Sequence, residues 1–140
     1  GTLKLVGEAA SGNTKTSTGM VALPVPENAQ ATAFTTGSKA WTIEIDARVS
    51  VVAATSATVD IEVYRSDGNG GVSGSDLCTT SAQDINSATW ATKTFTLTAT
   101  NIEPGDELIV LIRTAVNDST GANSSVGQIG RIAAVFNAKM

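Results

Sequence analysis

Trp41-Thr42-Ile43-Glu44-Ile45-Asp46-Ala47-Arg48-Val49-Ser50-Val51 alternates apolar and polar side chains without a break. A strand points successive side chains to opposite faces, whereas an amphipathic helix repeats its apolar residues every three to four positions. The stretch therefore predicts a half-buried strand. The same period recurs over residues 58–64, with Val59, Ile61 and Val63 expected inward and Asp60, Glu62 and Tyr64 outward. Residues 90–100 repeat it with Phe95 and Leu97 on one face and Thr94, Thr96 and Thr98 on the other. A last strand is expected near residues 129–137, with Ile132, Ala134 and Phe136 facing in. Between them, Asn101-Ile102-Glu103-Pro104-Gly105-Asp106 is turn chemistry, proline fixing φ and glycine supplying a positive φ. Pro24 and Pro26 make residues 20–26 extended, suited to an edge strand or a connector. No window has helical periodicity, and residues 81–89 could form at most one turn. Strands joined by turns, with no helical crossover, predict an all-β antiparallel sandwich or barrel.

At 140 residues the chain is one domain, large enough to bury about two-thirds of its unfolded surface. The net charge is −4, and the nine lysines and arginines form no cluster. That argues against nucleic-acid or membrane-surface partners. There is no histidine and one cysteine, Cys78, so Ser-His-Asp and Cys-His catalysis, histidine zinc sites and intrachain disulfides are excluded. No segment approaches the length of a membrane span, and the first residues lack the apolar core of a signal peptide. Gly1 fits removal of an initiator methionine, and a lone cysteine fits a reducing compartment, so a soluble protein made in the cytosol is expected. The sequons at Asn117 and Asn123 are what chance gives in a chain rich in Asn, Ser and Thr.

Two stretches depart from this pattern. Residues 7–19 hold only Ala9 and Ala10 as apolar side chains. Such a segment cannot order itself by burial. The expectation is an extended N-terminal arm, residues 1–20, ahead of a domain spanning 21–140. The arm could pack on its own domain or contact a neighbouring chain, and composition favours the second: attachment by strand addition through Leu3, Leu5 and Val6, contributing to binding and not to folding. The second departure is Glu107-Leu108-Ile109-Val110-Leu111-Ile112-Arg113, apolar on both faces. Either the chain's own loops cover its outer face, or another subunit packs on Ile109 and Leu111.

Few residues offer chemistry. Asp67 and Asn69 open like an EF-hand loop, but Val72 stands where glycine is required and Cys78 where a bidentate glutamate belongs. A flexible turn is the better reading than a cation site at Asp67, Asn69 and Asp76, so no cofactor or metal is expected. Glu44 with Asp46, and Asp60 with Glu62, share strand faces where solvated carboxylates are normal. Trp41, Trp90 and Tyr64 could form a sugar-stacking platform, yet Trp41 and Trp90 are read here as core. Cys78 has no basic neighbour in sequence to activate it.

The run from Ile102 to Asp118, with Pro104-Gly105-Asp106 opening an apolar strand that ends in Arg113, is followed by a Gly/Ser/Asn loop and residues 129–136. This resembles small jelly-roll capsid decoration (cement) proteins of tailed bacteriophages, over roughly residues 30–140. The resemblance implies a jelly roll, no catalytic residues and a place on the capsid exterior of the virion. It implies binding to the major capsid protein, commonly as a homotrimer. A carbohydrate- or receptor-binding sandwich of a phage fibre is the alternative, and an enzyme is not expected.

Overall fold

The computed structural model describes residues 3–5, 14–29, 41–50, 54–66, 74–98, 102–117 and 125–136. These residues form eight strands, all paired antiparallel: β1 (Leu3–Leu5), β2 (Thr14–Pro24), β3 (Thr42–Val49), β4 (Ser56–Ser66), β5 (Gln83–Asp84), β6 (Ala91–Thr96), β7 (Glu107–Asn117) and β8 (Gly127–Val135). One sheet has the order β1-β8-β3-β6 and the other β2-β7-β4-β5. The chain is thus paired from the outside in: first strand with last, second with seventh, third with sixth, fourth with fifth. The two sheets pack face to face over one core, and the molecule is an antiparallel β-sandwich.

Alternation decides what enters that core. Ile43, Ile45, Ala47 and Val49 of β3 are buried, as are Val59, Ile61 and Val63 of β4. Trp41 is buried as expected and meets Phe136 edge to face, with ring centroids 4.7 Å apart. Ile132, Ala134 and Phe136 pack partly buried against the same core. Ile129, of the opposite parity, is also buried, because β8 carries a bulge. Ile45 pairs with Ile132 and Ala47 with Ile129, so two steps along β3 match three along β8. The extra residue flips the inward face between Ile129 and Ile132.

Trp90 corrects the sequence reading. It is 39% exposed, on the same side as Thr92 and Thr94 and out of phase with buried Phe95. Its ring lies against the backbone at Gly130, where an added Cβ would come within 3.2 Å of it, and Arg48 stacks over it at 4.5 Å.

The N-terminal boundary also moves. The division expected after residue 20 falls inside β2, which pairs with β7 along its whole length from Thr14↔Asn117 to Pro24↔Glu107. Main-chain hydrogen bonds hold it, and Val21 and Leu23 pack on the core. Composition missed this because a strand's ladder draws on backbone groups that every residue carries. The first residues likewise pair within their own chain: β1 adds to β8 in the register Leu3↔Ile129, Lys4↔Gln128 and Leu5↔Gly127. Val6 lies outside the described residues.

The turn before β7 follows its sequence. Gly105 has φ +88°, and Asp106 N–H donates to Glu103 O at 3.1 Å. The buried Asp106 carboxylate accepts from Glu103 N–H at 2.8 Å and sits 3.4 Å from the Arg65 guanidinium.

Candidate functional site

The outer face of the β2-β7-β4 sheet holds the side chains most available to a partner. β7 is its central strand, and its register sets rows across the sheet: Ala22, Ile109 and Tyr64 in one, Met20, Leu111 and Glu62 in the next, Thr18, Arg113 and Asp60 in the third. Ile109 and Leu111 are half-buried, shaded by these neighbours, while Met20 at the edge is 68% exposed. The first two rows are mainly apolar and the third is charged. Where the second and third meet, Thr18, Asp60, Ile61, Glu62, Leu111 and Arg113 line a shallow depression of about 90 Å³.

The polar groups here are paired. Arg113 Nη2 lies 3.5 Å from Asp60 Oδ2, and Tyr64 O–H donates to Glu62 Oε2 at 3.5 Å. Partial loss of hydration pushes the Tyr64 phenol up, with help from the charges of Glu62 and Asp76. Asp60 and Glu62 thus flank a depression on an open sheet face, not two sides of a cleft suited to paired acid–base work.

The outer face of the other sheet is mainly polar, with Trp90 and Val135 as its exposed large apolar side chains among the described residues. Arg131 spans Glu44 at 3.1 Å and Asp46 at 3.2 Å, and Thr92 O–H donates to Asp46 Oδ1 at 2.6 Å. Those bonds, the one from Thr92 first, lower the Asp46 carboxyl below its ordinary value. The Arg131 guanidinium is raised in turn through its hydrogen bonds to Asp46 and Glu44. Arg48 Nε donates to Gln128 Oε1 at 2.8 Å, fixing the guanidinium that covers Trp90. Both carboxylates expected on this face are therefore engaged.

Other candidates resolve similarly. Asp76 Oδ1 accepts from Val63 N–H at 2.8 Å and Cys78 N–H at 2.9 Å, completing the edge of β4. Asp67 and Asn69 lie outside the described residues, and among the described residues no group of three or more metal-binding side chains gathers. Cys78 Sγ donates to Thr80 O at 3.4 Å, and burial raises its thiol pKa, the opposite of activation.

The residues expected to bind partners separate into two places. Ile109 and Leu111 share the outer face of β7, while the backbone of Leu3 and Leu5 lies at an edge of the opposite sheet. Reasoning from sequence missed Met20 and Thr18, which complete that face. Their signal was the alternation of β2, where Ser17, Gly19, Val21 and Leu23 turn one way and Thr18, Met20 and Ala22 the other. Compared with known proteins, the chain matches no protein-family model, no curated protein and no solved structure.

Proposed function

We propose that this chain is a structural virion protein, a capsid decoration (cement) protein that binds the outside of a bacteriophage head and bridges capsomers. The observation that carries the reading is the outer face of β2-β7-β4, where Met20, Ala22, Ile109 and Leu111 gather on an open sheet with charges only at its rim. An apolar patch rimmed by polar residues suits a protein contact. The nested strand pairing supports reading the sandwich as a jelly roll, in line with the resemblance carried by Pro104-Gly105-Asp106 and β7. Carbohydrate binding has weaker support, because the exposed tryptophan, Trp90, rests on Gly130 and carries the Arg48 guanidinium.

The test is sedimentation with undecorated phage heads, comparing the full chain with Leu111→Lys. The full chain should co-sediment, and the variant should stay in the supernatant while keeping its fold by circular dichroism. A full chain that binds no head but is retained on a glycan array would replace this reading with the carbohydrate one.

A further inference from the structure

We propose that β2 pairs edge to edge with β2 of a second copy of this chain, antiparallel across a two-fold axis near Gly19. The inference stands on the backbone edge of β2 and is independent of capsid binding.

Among the described residues, three of the four sheet edges are closed or short. β1 has three residues and β5 two, and the part of β8 that β1 leaves uncovered, residues 130–135, is about half the length of β2. Along β6, Thr96 O accepts from Thr79 N–H at 2.9 Å, Thr96 N–H donates to Thr80 Oγ1 at 2.8 Å, and Gln83 Nε2 donates to Thr94 O at 2.7 Å. The fourth edge, β2, is 11 residues long.

Its hydrogen bonds can be assigned by parity. Val25 N–H donates to Asp106 O at 2.8 Å and Val25 O accepts from Gly105 N–H at 3.1 Å, so Val25 turns its backbone groups to the β7 side. On β7, Asn117 O accepts from Thr55 N–H at 2.7 Å, which turns the odd-numbered residues of β7 to the β4 side and the even-numbered ones to β2. Alternation then aims the N–H and C=O of Gly19, Val21 and Leu23 at β7 and those of Thr16, Thr18, Met20 and Ala22 at the open side. Among the described residues nothing bonds to these four from that side. Pro24, which has no N–H, occupies the same outward register, so its ring costs the ladder with β7 nothing.

Proteins protect long edges with charge, proline or bulges. β2 carries Lys15 and Pro24 near its two ends, and the stretch between them, Thr16 to Leu23, contains none of these. A second copy fits this edge. With Gly19 on the axis, Thr18 pairs with Met20 of the other copy and Thr16 with Ala22, so all four outward residues are bonded. The non-hydrogen-bonded pair on the axis brings Cα atoms closest, and there glycine faces glycine. The antiparallel sense is also complementary in charge: the Lys15 end of each strand approaches the partner's turn end, where the exposed Glu27, Glu103 and Glu107 lie. A parallel arrangement would bring the two acidic ends together instead. Pairing makes one continuous sheet and leaves Ile109 and Leu111 on its outer face.

The experiment is analytical ultracentrifugation of the full chain over a micromolar range, with hydrogen exchange measured at both ends of it. The full chain should dimerise, and the amides of Thr16, Thr18, Met20 and Ala22 should slow with concentration while those of Gly19 and Val21 do not change. Thr18→Pro removes only an outward donor in each copy and should weaken dimerisation by at least about tenfold. Met20→Lys, a charge on an exposed side chain, serves if the proline variant does not fold. A monomer throughout overturns the proposal, as do edge amides already protected at the lowest concentration, which would mean the chain covers its own edge. An oligomer that survives Thr18→Pro and Met20→Lys but dissociates in Leu111→Lys also overturns it, placing the contact on the outer face instead.

Discussion

Adding one methyl group at Gly127 should destabilise the domain through a side chain in the opposite sheet. A Cβ built there lies 3.1 Å from Thr114 Cβ, 3.2 Å from its Cγ2 and 3.3 Å from its Oγ1. Each distance is shorter than ordinary contact, and Thr114 is fully buried, so the threonine cannot swing into solvent. Forcing a methyl into such a site costs about 1–3 kcal/mol. The backbone of Gly127 is not in the positive-φ region, so alanine also gains about 0.4–1 kcal/mol by restricting the unfolded chain. The net expectation for Gly127→Ala is a loss of about 1–2 kcal/mol, or roughly 3–8 °C in Tm for a domain of this size. Thr114→Ala on its own should be nearly neutral, because it removes a Cγ2 contact together with an Oγ1 that has no hydrogen-bond partner. In the double variant the methyl introduced at position 127 occupies the space that the threonine side chain vacates. Urea unfolding of the four proteins should therefore give a favourable coupling of about 1 kcal/mol or more, at constant m-value. Additivity within about 0.5 kcal/mol would refute the reasoning, because residues on β7 and β8 couple only if the two sheets approach closely at this point.

Gly105→Ala should cost about 1 kcal/mol in urea unfolding, since φ is +88° and the new Cβ would meet Glu27 Oε1 at 3.3 Å. Asp76→Ala should lose about 1–2 kcal/mol, because its carboxylate holds the amides of Val63 and Cys78, with Asp76→Asn intermediate. Asp46 has a folded pKa below its ordinary 3.8, so the folded state binds fewer protons there than the unfolded chain. Its contribution is fully present above the unfolded value and is lost as the pH falls below it through the lower folded pKa. Thermal melts of Asp46→Asn should accordingly converge on the unmodified protein as the pH drops below about 4.

Much of the sandwich was legible because alternation and burial are the same fact seen twice. In β3 and β4 each apolar residue at period two is buried, since a strand has only two faces and one of them meets the other sheet. The turn at Pro104-Gly105 was legible for a different reason: few residues other than glycine tolerate its φ. Trp90 was legible too and was misread, because its parity matches Thr92 and Thr94 and not Phe95. The bulge in β8 was not legible. One extra residue reverses the inward face, and nothing in Gly130-Arg131 marks where β3 will absorb it.

The double-faced apolar run in β7 shows why the site was harder to read than the fold. A central strand loses exposure on its outer face simply because flanking strands stand beside it. Ile109 lies between Ala22 and Tyr64, and Leu111 between Met20 and Glu62, and each is half-buried with no layer above it among the described residues. Apolar residues there are compatible with an open face, so the run alone does not require a subunit to cover it. Met20 carries more information, because an edge position shades it from one side only and it remains 68% exposed. Recognising that required the pairing of β2 with β7, a contact between residues about ninety positions apart in sequence. Composition placed those residues in an arm because it weighs side chains, whereas the ladder that orders them is made by the main chain.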